Sequence, residues 1–393
     1  MNYDLIVVGG GLSGTCAAIA SARDGLKTLL IEKYNCLGGT GTAGLVIPFM
    51  SYHTTINNEK VPLCGEIFTE IVSELEKMGA TYEGWHESFN EEYLKLILNR
   101  LAISSGVELL FNTTLSGVSI SEGKINNITV TNVGGTYDLY AKCYIDATGD
   151  ANLAFLGGFP FNMGRESDGL CQPISLSFRV GNVNIALFDK EHKKIQSDFK
   201  KKQTQGIISV PRESLLIFKT PTKGVLHFNS TRVCGLNPCN PRELTKAEII
   251  AREQVFELFK FLKDYESFKD SSLISTAIQI GVRESRRIMG EYTLSVNEIK
   301  ECKKFDDSVA KCSYDIDEHS PDGVGTSHYY FKDGEYYEIP FGCCVPKGSK
   351  NLFVVGRCIS VDHYAQASMR IMPTVATIGE SVGKRIKNQI KEQ

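Results

Sequence analysis

The residues near the amino end best suited to chemistry are three glycines, Gly9, Gly11 and Gly14, in the segment DLIVVGGGLSG. They follow an apolar run that predicts a strand, and they open a predicted helix. The first glycine allows a tight strand-to-helix turn, the second lets a pyrophosphate approach the backbone, and the third lets helix and sheet pack closely. The amino end of the helix favours negative charge. The pattern predicts an adenine dinucleotide site.

A second apolar run, LKTLLIE, ends in Glu32. This spacing places a carboxylate where it can accept hydrogen bonds from ribose hydroxyls, which disfavours a 2′-phosphate. The alternative is an ordinary strand end of a doubly wound sheet with no ligand. The predicted cofactor contacts in this unit are Gly9, Gly11, Ser13, Gly14, Glu32 and Lys33.

Composition and charge restrict the class of function. The chain has 393 residues, 42% of them hydrophobic and 23% charged, as in ordinary globular proteins. A formal net charge of -3 argues against nucleic acid as a partner. Because no apolar stretch reaches the roughly 18 residues of a membrane span, we expect no membrane partner and a cytoplasmic location. The 12 cysteines lack the spacing of metal or redox pairs, so no metal is predicted.

The order of the elements predicts an α/β fold with a parallel sheet. Strand, glycine turn, helix and strand fill residues 3–33, and further helices and strands lead to YIDATGD. Mixed strands and longer polar helices follow, before the chain returns to a strand, NLFVVG, and a final helix from Pro373 to Lys391. We predict a three-layer Rossmann-like domain made of residues 1–160 and 341–393, with an inserted α+β substrate domain over residues 161–340.

Local signals predict several further elements. Apolar residues at helical spacing predict a helix over residues 65–77, and Asn90 is a candidate N-cap for another. An amphipathic pattern predicts a helix over residues 246–262. The segment YYFKDGEYYEIP predicts a hairpin that turns at Asp333 and Gly334.

Six segments in this order resemble the FAD-dependent oxidoreductase family with the glutathione-reductase-type fold: GGGLSG, IEKYNCLGGTGTAGLV, YIDATGDA, GVRESRRIMGEYTL, VPKGSKNLFVVGRCIS and ASMRIMPTVATIGESVG. The resemblance spans nearly the whole chain. It implies extended FAD, with the adenosine at the first glycine motif and the isoalloxazine between the two domains. It also implies that Leu115 lies beside the adenine. No histidine stands in the LGGTGTAG loop, so we expect noncovalent FAD.

The remaining predicted flavin contacts follow from this resemblance and from local chemistry. Pro373 suits the first turn of a helix whose free N–H groups would face the flavin and stabilise its anionic reduced ring. Asp150 could instead cap a helix near Ala151, and Arg357 could neutralise a phosphate or form a structural ion pair. These further predicted contacts are Gly38, Gly39, Thr40, Thr42, Ala147, Gly149, Asp150, Gly356, Arg357, Thr374 and Val375.

Transfer of a hydride to or from an alcohol or amine also requires a group that handles a proton. The candidate bases are His363, which follows the GRCIS segment, and His319 in DIDEHSPDG. Either could instead be a structural or surface histidine. Arg370 precedes the Pro373 helix and is predicted to touch the ring or the substrate, while Tyr364 is a candidate lid residue.

The segment GVRESRRIMG contains the basic cluster Arg283, Arg286 and Arg287. Guanidinium groups bind a carboxylate or phosphate in a bidentate manner, so a substrate contact is predicted, with Arg286 as a catalytic candidate. The alternative is a salt-bridged structural network that includes Glu284 and Glu291.

No second GxGxxG unit follows residue 150, which argues against a nicotinamide domain. The sequence therefore predicts an oxidoreductase that transfers a hydride between a small organic substrate and FAD, with a possible external electron acceptor or carrier. The alternatives left open are an electron-transfer subunit of a larger complex, an RNA-modifying flavoenzyme and a nonenzymatic NAD-binding module. The substrate, the direction of the reaction and the oligomeric state are not determined by these patterns.

Overall fold

The computed structural model describes residues 2–82, 88–323 and 325–392. Its strands are β1 Asn2–Val8, β2 Thr28–Ile31, β3 His53–Ile56, β4 Glu59–Pro62, β5 Thr81–Tyr82, β6 Ser88–Phe89, β7 Glu108–Leu110, β8 Thr114–Ser121, β9 Lys124–Asn132, β10 Gly135–Asp146, β11 Phe161–Met163, β12 Phe178–Gly181, β13 Ile217–Lys219, β14 Leu226–Phe228, β15 Ser272–Thr276, β16 Arg286–Ile288, β17 Ser308–Cys312, β18 Ile316–His319, β19 Thr326–Tyr329, β20 Tyr337–Pro340 and β21 Leu352–Val354.

The α-helices are α1 Leu12–Arg23, α2 Glu66–Lys77, α3 Glu91–Ser104, α4 Asn152–Leu156, α5 Ile185–Thr204, α6 Pro241–Leu262, α7 Val296–Lys300, α8 His363–Met369 and α9 Met372–Lys391. Short 3₁₀ turns cover Gly39–Gly41, Glu266–Phe268 and Phe341–Cys344. The described helices include none with the length and apolar character of a membrane span.

The central sheet is parallel where it carries the site. Its parallel strands lie in the order β7, β2, β1, β10, β21. Strand β10 serves two sheets: Tyr144–Asp146 pair with β21, whereas Gly135–Leu139 pair antiparallel with β9. The residues of β2 are all buried, which explains why residues 29–31 are consecutively apolar rather than alternating with polar residues. The predicted α/β class with a parallel-rich sheet is confirmed.

A second body contains the antiparallel sheet β13, β14, β12, β15 and the long helices α5 and α6. Its hydrophobic core contains Leu45 and runs from Ile174 to Val282 along the chain. Residues between Ile288 and Cys344 contribute instead to the hydrophobic core that contains the strands of the central parallel sheet. The domain boundaries at residues 160 and 340 stay predictions.

The local predictions fare well where a cap or a strong periodicity is present. Helices α2 and α3 form where expected, and the Asn90 side chain accepts a hydrogen bond from the N–H of Glu92 at 3.0 Å. Helix α6 begins earlier than predicted, at Pro241, because Asn240 caps it and proline suits the first turn.

The hairpin predicted at Asp333 and Gly334 is wrong. A turn forms there, but β19 pairs with β18 and β20 pairs with β17, so the strands on either side of the turn are not partners. Asp333 and Gly334 favour a turn of the chain, but they do not determine which strands pair on either side of it.

Candidate active site

A cavity of about 710 Å³ opens at the carboxyl ends of β1, β2, β10 and β21. This edge of a parallel sheet is the usual ligand position in α/β folds. The predicted site residues that line it are Gly9, Gly11, Ser13, Glu32, Lys33, Gly39, Thr40, Leu115, Ala147, Gly149, Arg286, His319, Gly356, Arg357, Arg370 and Val375. The predicted site residues outside the lining are Gly14, Gly38, Thr42, Asp150, His363 and Thr374.

The three glycines of the first motif have different physical tasks. Gly9 has a φ of +106°, and a Cβ there would lie 2.4 Å from the carbonyl oxygen of Ala147. A Cβ on Gly14 would lie 2.0 Å from the carbonyl oxygen of Gly9. A Cβ on Gly11 would meet none of the described atoms within 4 Å, since this position faces the cavity. Gly9 and Gly14 therefore fix the turn, while Gly11 leaves its backbone open to a ligand.

Glu32 is held rigidly at the mouth of this turn. Its Oε2 accepts a hydrogen bond from the N–H of Gly10 at 2.6 Å, and its Oε1 accepts one from the N–H of Tyr34 at 2.9 Å. The residue is buried, yet it lines the cavity. Its carboxylate is therefore already oriented for further acceptor contacts with ribose hydroxyls.

Helices α1 and α9 run parallel and in close contact. A Cβ on Gly379 would lie 1.9 Å from the carbonyl oxygen of Ser13, and one on Gly383 would lie 2.4 Å from that of Ala17. In this register α9 begins six residues earlier than α1, so its amino end extends about 9 Å past that of α1 at the rise of an α-helix. The amino ends of both helices line the cavity. Each amino end favours a negatively charged group, so one wall of the cavity has two such positions.

The loop after Glu32 is braced by two residues that do not line the cavity. The N–H of Gly38 donates to the carbonyl oxygen of Gly10 at 2.8 Å, and the Thr42 hydroxyl donates to that of Leu37 at 2.6 Å. These bonds present Gly39 and Thr40 to the cavity. Thr374 is also buried outside the lining, although its neighbour on α9, Val375, reaches it.

Asp150 and Arg357 form an ion pair, with Nη2 2.6 Å from Oδ1. The Ser285 hydroxyl donates to the same Asp150 oxygen at 2.7 Å. Burial alone would raise the pKa of Asp150, but the Arg357 charge and the Ser285 hydrogen bond bring it below its usual range. The structural ion pair is therefore present, and Arg357 still lines the cavity with an Nε that has no partner among the described residues.

Asp150 does not cap helix α4. The carboxylate of Asp146 instead accepts a hydrogen bond from the N–H of Ala154 at 2.9 Å, and the Thr148 hydroxyl accepts one from that of Asn152 at 2.9 Å. The proposed capping role of Asp150 is corrected accordingly.

The opposite wall is formed by the β18–β19 hairpin. In its register Asp317 lies across from His328 and His319 across from Thr326, and all four line the cavity. Side chains at alternate positions of a strand share one face, which brings these polar groups together.

His319 is buried and neutral at physiological pH. Burial and the nearby charge of Arg283 lower its pKa to about 3. Its Nδ1 lies 2.9 Å from Nη2 of Arg232, a donor, so the ring proton is on Nε2, 3.3 Å from Oδ2 of Asp317. In this arrangement His319 donates a hydrogen bond and has no free lone pair for a proton.

His328 has the complementary arrangement. Its Nδ1 lies 2.8 Å from Oδ2 of Asp315, and its Nε2 lies 3.8 Å from Oδ1 of Asp317. A carboxylate that accepts from Nδ1–H leaves Nε2 as the proton acceptor. The sequence reasoning missed this residue, although the alternation of polar residues at 315, 317 and 319, followed by 326 and 328, was a usable signal.

His363 occupies a different environment. Its ring is buried, with Nδ1 2.8 Å from Oε2 of Glu284 and Nε2 3.4 Å from Oε1 of Glu318. Glu284 also pairs with Arg287, so one ion pair of the network considered for this segment is present, whereas Glu291 accepts a hydrogen bond from the N–H of Gly348. Tyr364 is partly exposed and lies outside the cavity lining.

Arg286 lines the cavity on the side of α4, away from the hairpin. Its Nη1 donates to the carbonyl oxygen of Asp150 at 2.9 Å and to Oδ1 of Asn152 at 3.1 Å. Its guanidinium also lies 4.0 Å from the ring centroid of Phe155. Arg370 and Arg283 reach the cavity on the hairpin side, where they are joined by Arg212, a residue not singled out from the sequence.

Known proteins similar to this chain were found by sequence and by structure. Digeranylgeranylglycerophospholipid reductase 1 of Methanococcoides burtonii is 26% identical over 157 residues, covering 38% of this chain and 38% of that protein. The digeranylgeranylglycerophospholipid reductase of Methanocella arvoryzae is 31% identical over 161 residues, covering 38% of this chain and 39% of that protein. The chain thus matches well under half the length of these relatives.

A crystal structure of the flavin-dependent brominase Bmp2 superposes with a TM-score of 0.51 at 13% identity, covering 100% of this chain and 80% of that one. This similarity concerns the fold. The family model described as FAD dependent oxidoreductase matches residues 4–393. With a match of this length and a cavity flanked by the expected glycine motif, the chain belongs to the FAD dependent oxidoreductase family.

Proposed function

We propose that this protein transfers a hydride between a small organic substrate and noncovalently bound FAD within the 710 Å³ cavity. One observation carries the proposal: a single cavity joins the glycine motif and two helix amino ends to a wall of arginine, histidine and aspartate side chains. Binding machinery for a dinucleotide and groups suited to acid–base chemistry therefore share one space.

The residues present fit FAD. Gly11 leaves its backbone open to a pyrophosphate, Glu32 is oriented for ribose hydroxyls, and Leu115 lines the cavity where the adenine is expected. The amino end of α9 supplies N–H groups for the flavin ring. When bound, FAD supplies the two-electron chemistry that protein side chains lack.

We assign proton transfer to His328, oriented by Asp315. Its Nε2 faces the carboxylate of Asp317. Burial alone would raise the pKa of Asp317, but the His319 hydrogen bond and the charge of Arg370 bring this pKa well below its usual range, so the carboxylate is ionised. Asp317 would stabilise the imidazolium formed when His328 takes a proton. We assign His319 a role in orienting Asp317 through its Nε2–H hydrogen bond, and His363 a role in positioning β18 and α8 through its two carboxylate contacts.

We also propose that the reaction occurs in the cytoplasm and that an external acceptor or carrier exchanges electrons with the flavin. No disulfide joins two cysteines in the described part of the chain, which supports a reducing compartment.

The test is spectroscopic. Purified protein is reconstituted with FAD, its visible flavin absorption is recorded, and anaerobic bleaching is followed with a panel of hydroxy acids, sugars and amines. Acid denaturation should release the flavin, since it is held noncovalently. Protein that binds no FAD after reconstitution would refute the proposal.

The proposed base is tested with His328→Gln. The variant should keep its flavin and lose about 10²-fold or more of the bleaching rate. His192→Gln, on α5 and outside the cavity lining, is the matched control. An unchanged rate in His328→Gln would remove this histidine from the mechanism.

A further inference from the structure

Four arginines gather at the hairpin end of the cavity. Arg212, Arg283 and Arg370 line it, and Arg232 lies directly behind His319. We call these four residues the arginine cluster. Two other buried arginines pair with carboxylates, Arg179 with Glu91 and Arg287 with Glu284. In the described part of the chain, no member of the arginine cluster has a carboxylate oxygen within 4.0 Å.

Arg212 is the most unusual member. Only 5% of its surface is exposed, and its buried Nε and Nη1 have no partner among residues 2–82, 88–323 and 325–392. Buried donors without acceptors are costly, and native proteins rarely keep them without a reason. A ligand that supplies acceptor oxygens would satisfy these groups.

The backbone under Arg212 is fixed in advance. The side-chain amide of Gln203 on α5 donates to the carbonyl oxygen of Arg212 at 2.9 Å and to that of Val210 at 2.6 Å. The loop therefore presents the guanidinium from a rigid support, and little conformational freedom is lost on binding.

Arg283 and Arg370 also line the cavity, whereas the terminal nitrogens of Arg232 are bonded to His319, Thr326 and two backbone carbonyls. Nη1 of Arg283 donates to the carbonyl oxygen of Pro173 at 2.7 Å and to the Ser175 hydroxyl at 3.0 Å. Nε of Arg370 is buried without a partner in the described chain. Burial and the proximity of the other guanidinium groups lower the pKa of both Arg212 and Arg283, a sign of uncompensated positive charge.

The acidic residues nearby do not balance this charge. Asp317 lines the cavity beside the arginine cluster, but it already accepts a hydrogen bond from His319. Asp315 is engaged with His328. Glu213 lines the cavity but is exposed, so water screens its charge. Two partly buried carboxylates, those of Asp315 and Asp317, thus face four guanidinium groups, which leaves an excess of positive charge.

We propose that the arginine cluster binds an oxyanionic group, a carboxylate or a phosphate, of the substrate. This inference rests on the proposed function and names its substrate class: an oxyanion held by Arg212, Arg283 and Arg370 beside His319 and His328. Because Arg370 lies two residues before α9, the bound anion would place the adjoining carbon near the flavin end of the cavity.

The experiment uses FAD-loaded protein, and FAD uptake is measured first. Succinate, inorganic phosphate and the neutral succinamide are titrated while the flavin spectrum and the heat of binding are recorded. We expect succinate or phosphate to bind and succinamide not to bind. Binding by succinate alone assigns a carboxylate substrate, and binding by phosphate alone assigns a phosphate substrate.

The variants are Arg212→Met, Arg212→Lys and, as control, Arg100→Met at an exposed position on α3. Arg212→Met should weaken binding of the oxyanion by about 10- to 100-fold without changing FAD affinity, because charged hydrogen bonds are lost. Arg212→Lys should recover part of the affinity, and Arg100→Met should match the wild type.

Two results would overturn the inference while leaving the proposed function intact: FAD-loaded protein that binds neither anion, or anion binding that Arg212→Met does not change. Equal binding of succinamide and succinate would overturn it as well. Failure to take up FAD would refute the proposed function at the first step, before any titration.

Discussion

The unpaired charge of Arg212 leads to a prediction about stability. Arg212→Met replaces a buried cation by an apolar side chain of similar length, and neither Nε nor Nη1 gives up a hydrogen bond in the described chain. We therefore expect the variant to be more stable than the wild type when no oxyanion is present. A residue kept for folding alone would give the opposite sign.

The magnitude follows from the pKa. Burial, followed by the charge of Arg232, lowers the pKa of Arg212 from 12.5 to about 10. This difference corresponds to about 3 kcal/mol. Since the folded-state value is the lower one, the cost is fully present at pH 7 and disappears only as the pH rises from about 10 towards 12.5. Allowing for imperfect packing of methionine, we expect a gain of about 1 to 3 kcal/mol, or about 1 to 4 °C for a chain of this length.

The assay is thermal unfolding of FAD-loaded protein in low-salt bis-tris propane chloride at pH 7, a buffer without an oxyanion, with Arg100→Met as control. Addition of the preferred oxyanion at 100 times its dissociation constant should stabilise the wild type by about 2.7 kcal/mol and the variant far less. The stability advantage of the variant over the wild type should therefore shrink or reverse. A variant less stable than the wild type without oxyanion would refute the reasoning.

Two further predictions concern packing. His363→Ala leaves Glu284 and Glu318 without their shared partner in the core and should lower the free energy of unfolding by about 3 kcal/mol in chemical denaturation, whereas His192→Ala should not; an unchanged midpoint would contradict the positioning role. Gly379→Ala places a Cβ 1.9 Å from the carbonyl oxygen of Ser13, which forces α9 away from α1. Gly379→Ala should weaken FAD binding by about 10-fold or more in a flavin titration, while Ser381→Ala on the same helix should not. Unaltered FAD affinity would show that the two helices accommodate the added methyl group without moving apart.

The sequence was most informative where the chemistry is local. The turn at Gly9, the Asn90 cap and the helix that begins near Pro373 each depend on a few adjacent residues, and each forms as expected. Long-range pairing was harder to foresee. The hairpin predicted at residues 333–334 does not form: β19 pairs with β18 and β20 pairs with β17, so both strands that flank this turn have partners earlier in the chain.

The same limit applies to the site. Arg212 stands in a short loop with no motif around it, and only the folded chain brings it beside Arg283 and Arg370. His363 follows the strand segment that suggested a flavin contact, yet its ring faces Glu284 and Glu318. Position along the chain therefore predicted the cavity lining around the glycine motif better than it predicted the polar side chains on the hairpin wall. The roles of these groups stay predictions.

The close contact between α1 and α9 also bears on how the protein is made. Ser13 and Gly379 touch although more than nine-tenths of the chain is synthesised between them. A nascent polypeptide on the ribosome can form the first glycine turn early, but the second helix end arrives only after α9 has been translated. We therefore predict that stable loading of the prosthetic group waits for α9, and that a chain cut short before α9 leaves the ribosome colourless.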